Sequence, residues 1–176
     1  VAEGGLNEVS NMLIRLRELS VQAASDTIGD TERKFLDLEY QQLKSEVQRI
    51  GESTTFNGRD LLNGTGGVVD IPVGVHNDSF KDRISFNASA SNSSLEALGL
   101  TAETISQKEQ AQASIDTVDT AMVSVNAMRA NFGALQNRLG STVNNLGVAH
   151  ENISAANSRI RDADIAEETA NMTKNN

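Results

Sequence analysis

Apolar residues recur along the first stretch of the chain at steps of three and four: Leu6, Val9, Leu13, Leu16, then Ser20 and Ala23. Those steps alternate in the a/d seam of a heptad helix. The spacing therefore predicts a helix whose one apolar edge is interrupted only by Ser20. Residues 25–29 break the pattern with small and turn-forming side chains. Asp30 or Thr31 is placed to cap a second helix by accepting hydrogen bonds from its free N–H groups. Glu32 falls in the first turn, where the helix dipole favours an acid. Leu36, Tyr40, Leu43, Val47 and Ile50 carry the same spacing as far as Gly51, a natural stop.

The pattern then changes period. Asn57-Gly58 and Asn63-Gly64 are turn dipeptides that tolerate positive φ. Val69, Ile71, Val73 and Val75 alternate with Asp70, Pro72 and Gly74, which predicts a strand with one apolar face. Pro72 has no N–H for a ladder, so the strand belongs at an edge or carries a bulge. Asn77-Asp78 turns the chain, and Ile84 with Phe86 predicts a second strand. A Ser/Asn-rich loop, 88–94, follows. Ser93 with Glu96 has capping-box spacing for a short turn around Leu95 to Leu98.

The last third is the most regular. Ser106 with Glu109 again has capping-box spacing. One column then reads Val118, Val125, Phe132, Leu139, Leu146, Ile153 and Ile160, apolar at every seventh residue. Its expected partner column reads Ile115, Met122, Arg129, Gln136, Val143, His150 and Asn157. A heptad this long implies left-handed supercoiling against partner helices. A helix over 107–161 would run roughly 80 Å at ~1.5 Å per residue. Gly133, Gly140 and Gly147 are also seven apart, which suggests a stripe where another backbone comes close, although fraying or chance gives the same letters. The first two helices are each only ~30 Å by the same rise. The first also starts with its seam already running, so the sequence reads as a piece of a longer protein, with the residues beyond about Ile153 under-packed.

The fold class expected is mainly α with a small β region: an elongated antiparallel helical bundle or coiled coil with a β-hairpin at one end. It divides into N-terminal core helices (1–56), a turn and β-hairpin region (57–100) and a long C-terminal core helix (101–176).

Composition narrows the function. The net charge of −9 repels phosphate backbones, and no basic stripe interrupts it, so a nucleic-acid partner is not expected. No run of eighteen apolar residues is present to span a membrane. Cysteine is absent, which removes thiolate chemistry and Cys-ligated zinc. Only 3% of residues are aromatic, so the core must be thin and aliphatic.

Candidate chemistry is sparse. His76 and His150 are the only histidines, and neither lies in a metal or nucleophile motif. Neither catalytic, cofactor nor metal residues are expected. Arg129, Gln136, His150 and Asn157 interrupt one core column; polar residues there set register or partner choice, and Arg129 is expected to snorkel outward. Asp162, Asp164, Glu167 and Glu168 form an acidic cluster best read as a solvated face. Asn87-Ala88-Ser89, Asn92-Ser93-Ser94 and Asn152-Ile153-Ser154 have N-glycosylation spacing, the last inside a helix where modification is disfavoured.

Several segments carry a resemblance. Leu6-Asn7-Glu8-Val9 and Arg15-Leu16-Arg17-Glu18-Leu19-Ser20-Val21-Gln22-Ala23 resemble the N-terminal core of bacterial flagellins. So do Glu46-Val47-Gln48-Arg49-Ile50, Thr55-Phe56-Asn57-Gly58 and Leu61-Leu62. Asn131-Phe132-Gly133-Ala134-Leu135-Gln136-Asn137-Arg138-Leu139, Asn144-Asn145-Leu146 and the run from Ser158 to Glu168 are similar to the family's C-terminal core. The family's extreme terminal helices are absent and its variable outer domains missing or very small.

The resemblance implies a structural, non-enzymatic subunit of the flagellar filament, secreted through the flagellar type III export apparatus and self-assembling for motility. Implied partners are other flagellin subunits, an export chaperone and the filament cap. It also implies recognition by the vertebrate flagellin-sensing Toll-like receptor, whose contact motif maps onto Arg15, Leu19 and Glu39. Arg15 and Glu39 lie off both seams and are expected to be exposed. The alternative is a hook–filament junction protein of the same superfamily, disfavoured by the motif from Arg15 to Gln22.

Overall fold

The computed structural model describes residues 1–74, 76, 78–161 and 165–175. It is mainly helical, with two small antiparallel hairpins. The chain divides into a compact unit Val1–Leu135 and a second unit Gln136–Asn176.

In the first unit, helix α1 (Ala2–Ala23) buries Leu6, Val9, Leu13, Leu16, Ser20 and Ala23, the positions that the spacing marks, and adds Ala2 and Leu19. Helix α2 (Asp30–Ser53) returns antiparallel to it through residues 24–29. It buries Tyr40, Val47 and Ile50, with Leu36 and Leu43 half-buried against the same core. The start of α2 differs from expectation. Gly29 is the N-cap and no side chain caps the helix, because the Asp30 carboxylate is taken by Arg33 at 2.8 Å. Gly51 is not a stop either, since α2 runs on to Ser53. Its role is close approach: a Cβ there would lie 3.2 Å from Ser93 Oγ.

Arg33 solves a problem that the sequence does not advertise. The carbonyls ending a helix need outside donors. The Arg33 guanidinium, buried to 5% exposure, donates to the carbonyls of Ala23 (2.7 Å), Ser25 (3.2 Å) and Ile28 (3.1 Å). One planar fork thereby closes α1 and shapes the turn into α2.

Helix α3 (Lys108–Arg161) lies antiparallel to α1 within this unit. Ser20, Arg17 and Glu3 meet Ser114, Asp119 and Arg129 in that order. Val118, Val125 and Phe132 are buried as expected. The partner column is displaced by one residue. Ser114 and Ala121 are buried, with Ala111 beside them, whereas Ile115, Met122 and Arg129 are only half-buried. Small side chains let α1 and α2 approach α3 closely; the larger Ile and Met fill the flank.

Strand β1 (Thr55–Phe56) pairs with β2 (Arg59–Asp60) around Asn57-Gly58. Strand β3 (Val68–Pro72) pairs with β4 (Arg83–Asn87), Val69 opposite Phe86 and Ile71 opposite Ile84. With only two strands both are edges, which accommodates Pro72. Val73 lies past the strand, its N–H on the Asp82 carbonyl at 2.7 Å. Val75 and Asn77 fall outside the described residues. The hairpin docks on α3 through Phe86, whose ring centroid is 4.8 Å from that of Phe132. The short turn near Leu95 to Leu98 is capped by Ser94, whose Oγ accepts from the Ala97 N–H at 3.3 Å. Ser93 instead donates to the Leu62 carbonyl.

In the second unit, α3 continues to Arg161 and helix α4 spans Ile165–Asn175. Leu139 is half-buried, but Leu146, Ile153 and Ile160 are exposed, Ile160 to 85%. In the single chain these three positions form an exposed apolar edge, and the repeat does not require that its partner belong to the same chain. A Cβ at Gly133, Gly140 or Gly147 would meet nothing within 4 Å, so among the described residues no second backbone lies against that stripe.

Candidate recognition and assembly faces

Arg15 on α1 and Glu39 on α2 face each other across the antiparallel pair. Arg15 Nε donates to Glu39 Oε1 at 2.8 Å and Nη1 donates to Glu18 at 3.0 Å. Both partners keep nearly half their side-chain surface, 47% and 46%. The two carboxylates push the guanidinium further up from its ordinary range, the Glu39 hydrogen bond most. The result is a shallow charged bridge open to solvent. Leu19 does not share that surface. Leu19 is a core residue: it is 0% exposed and belongs to the core that residues of α1, α2 and α3 share.

Beneath this bridge runs a buried chain of hydroxyls. Ser20 spends its one proton on the Leu16 carbonyl at 2.8 Å. Its Oγ can then only accept, and Ser114 Oγ lies 3.2 Å away. Ser114, committed to Ser20, must in turn accept from the Tyr40 hydroxyl at 2.7 Å. Proton counting thus orients the whole relay from Tyr40 to Ser114 to Ser20 to the Leu16 carbonyl. Burial pushes the Tyr40 phenol up from its usual value, and the Ser114 bond offsets this only in part. The relay ties α1, α2 and α3 together at one level. Ser20 looks like a defect in an apolar seam, yet it accepts from Ser114 and passes the relay on to the Leu16 carbonyl.

A second polar row on α2 holds the connector that leads into α3. Gln48 Oε1 accepts from the Leu95 N–H at 2.8 Å. Lys44 Nζ donates to the carbonyls of Thr101 (3.1 Å) and Glu103 (2.7 Å). Gln41 also donates to Glu103 O. Asp37 Oδ1 accepts from the Ile105 N–H at 2.8 Å and the Thr104 hydroxyl at 2.9 Å. Lys44 is 4% exposed, and this burial pushes its ammonium down from the usual range despite Asp37 and Glu103 nearby. Motif reasoning misses this row. Its signal is the spacing of Asp37, Gln41, Lys44 and Gln48, a polar stripe at helical period beside the apolar one.

His76 and His150 are both exposed and lie in different units. Among the described residues, no group of three His, Cys, Asp or Glu converges as metal ligands. Arg129 is half-buried and donates to the half-buried Glu3 at 2.9 Å. Gln136, Val143 and Asn157 are exposed. Asp162 and Asp164 lie outside the described residues, as do the side chains of Glu167 and Glu168. Asn87 and Asn92 accept from the N–H two residues on, as local turn formers. No described helix is long and apolar enough to cross a membrane.

Residues 1–66 match the family model for the bacterial flagellin N-terminal helical region, and residues 115–176 match that for the C-terminal helical region. The chain is 39% identical over 175 residues to a flagellin of Halalkalibacterium halodurans, covering 99% of this chain and 63% of that protein. It is 36% identical to the flagellar filament 30.7 kDa core protein of Treponema maltophilum, covering 98% of this chain and 64% of that one. It thus spans less than two thirds of each of these relatives. Among solved structures, Bacillus cereus flagellin superposes with a TM-score of 0.71 at 32% identity, over 88% of this chain and 86% of that one. A putative flagellar hook-associated protein of Vibrio parahaemolyticus, at 16% identity and TM-score 0.66 over 92% and 83% of the two chains, shares the fold.

Proposed function

Because the chain belongs to the bacterial flagellin family, we propose that it is the core of a structural subunit that self-assembles into the extracellular flagellar filament and catalyses no reaction. The observation that carries this reading is the apolar column Leu146, Ile153 and Ile160. It is exposed at 47%, 69% and 85% in the single chain. Burying a large aliphatic side chain contributes about 1.5–3 kcal/mol, so an edge of this kind drives association with other rods. Export through the type III apparatus, a chaperone on the C-terminal end and growth under a cap follow from the same reading. Identity to flagellins across nearly the whole chain favours it over a hook–filament junction protein. The test uses the full-length protein under polymerising conditions. Ile153→Asp with Ile160→Asp should abolish the tubes seen by electron microscopy while circular dichroism stays unchanged. Tubes of normal length would refute the assignment of this edge.

The Arg15–Glu39 bridge supports a second role, as the surface read by the flagellin-sensing Toll-like receptor. Both groups are solvated and sit on adjacent helices, while Leu19 lies in the core on the same helix as Arg15. Arg15→Ala and Glu39→Ala should weaken receptor signalling with the fold intact. Unchanged signalling would sink this role.

A further inference from the structure

We propose that Asn57 is a site of spontaneous succinimide-mediated deamidation, and that the fold directs this reaction to Asn57 over the chemically identical Asn63. Both asparagines precede glycine. That is the pairing in which the following backbone nitrogen is least hindered by a side chain. The structure treats the two very differently.

Asn57 is exposed and caps a two-residue hairpin loop, at φ 52° with Gly58 at φ 75°. A Cβ at Gly58 would meet nothing within 4 Å. The Asn57 amide makes no hydrogen bond among the described residues. The hairpin itself has only the pairs Thr55–Asp60 and Phe56–Arg59. Isolated two-stranded hairpins are marginal, and such elements open at low free-energy cost.

Asn63 is pinned. Its Oδ1 accepts from the Thr65 N–H at 2.9 Å and from Thr65 Oγ1 at 2.7 Å. Its backbone forms a bridge with Asn92, and the preceding Leu62 carbonyl takes the Ser93 N–H at 2.8 Å. Gly64 is packed so that a Cβ would lie 2.7 Å from Asn92 Nδ2. Rotation of Asn63 into the attacking geometry breaks all of these contacts; rotation of Asn57 breaks only the hairpin.

The chemistry balances with water alone. The Gly58 nitrogen loses its proton to solvent and attacks Asn57 Cγ, forming a C–N bond. The Cγ–Nδ2 bond breaks, and the amide leaves as ammonia after taking up a proton. Water then adds to either carbonyl of the five-membered ring and cleaves one of its C–N bonds. The products are aspartate, or isoaspartate with an additional backbone methylene. No electrons are transferred. Isoaspartate at 57 cannot keep Phe56 opposite Arg59 across a two-residue loop, so β1–β2 dissolves. Leu62, anchored beyond it and 0% exposed, keeps the core closed.

The full chain is incubated in mildly alkaline buffer, with peptide mapping by mass spectrometry and methyl transfer by isoaspartyl methyltransferase as readouts. Asn57 should convert about tenfold faster than Asn63, the ratio that an opening difference of about 1.4 kcal/mol gives. The product should lose hydrogen-exchange protection at the Leu61 amide, which bonds the Thr54 carbonyl at 3.1 Å, with thermal unfolding unchanged. In strong urea the two rates should converge. Equal or faster conversion of Asn63 in the native chain, or a difference that persists in urea, overturns the proposal.

Discussion

Replacing Ser114 by Ala tests the oriented hydroxyl relay. The change removes one oxygen from a site with 0% exposure and alters volume little, so no cavity complicates the result. It takes from the Tyr40 hydroxyl the acceptor it bonds at 2.7 Å and leaves only the more weakly placed Ser20 Oγ nearby. An orphaned buried donor costs about 1–3 kcal/mol. Tyr40→Phe alone removes the donor with its proton and leaves Ser114 still donating to Ser20. Its expected cost is the net worth of one hydrogen bond, about 0.5–1.5 kcal/mol. With both changes no proton is stranded, since Ser20 still donates to the Leu16 carbonyl. The double variant should therefore lose less than the two singles combined, with a coupling of about 1 kcal/mol or more, inside the 0.5–3 kcal/mol range for contacting residues. Urea unfolding followed by far-ultraviolet circular dichroism measures all four proteins. Additivity to within ~0.5 kcal/mol, or a Ser114→Ala loss smaller than that of Tyr40→Phe, would refute the directionality.

Three further outcomes follow from the same geometry. Tyr40 is the only tyrosine and tryptophan is absent, so ultraviolet absorbance titrates this one phenol. Its folded pKa stands above the ordinary 10.0. The stability it contributes is fully present below the unfolded value and is lost as pH rises through the folded one. Ionisation should thus coincide with alkaline unfolding, and tyrosinate absorbance at the ordinary pKa in a folded chain would contradict it. Lys44→Met strands the Thr101 carbonyl and leaves Glu103 O with the Gln41 donor alone, and should cost about 1.5–3 kcal/mol, the worth of a hydrogen bond from a charged donor. Native-state hydrogen exchange should locate the loosening in residues 95–105, and a uniform change would argue against the connector clamp. Leu19→Ala should cost about 2–5 kcal/mol as a core truncation, whereas Ile153→Ala at 69% exposure should stay within about 0.5 kcal/mol; thermal melts separate them.

Periodicity proved readable where one face meets one partner and ambiguous where a helix meets two. The α1 seam from Leu6 to Ala23 is buried at every marked position, because steps of three and four define a single edge. On α3 the same reasoning identifies Val118, Val125 and Phe132 but chooses the wrong flank. An apolar column can be completed by the residues three before it or four before it, and Ile115 outweighs Ser114 on hydrophobicity alone. Three-helix packing reverses that choice, since the small residue is what allows α1 and α2 to close over α3. Leu19, which no seam position marks, is buried for the same reason: a residue outside a two-helix seam is inside a three-helix core. The polar positions carry the converse lesson. Ser20, Asp37, Lys44 and Arg33 look like interruptions or solvated charges in one dimension. Each acquires its role from an atom far along the chain or from a backbone carbonyl, and carbonyls have no letter in a sequence. The exposed run from Leu146 to Ile160 marks the remaining limit. A repeat records that an edge is apolar, and only a second surface decides whether that edge becomes core.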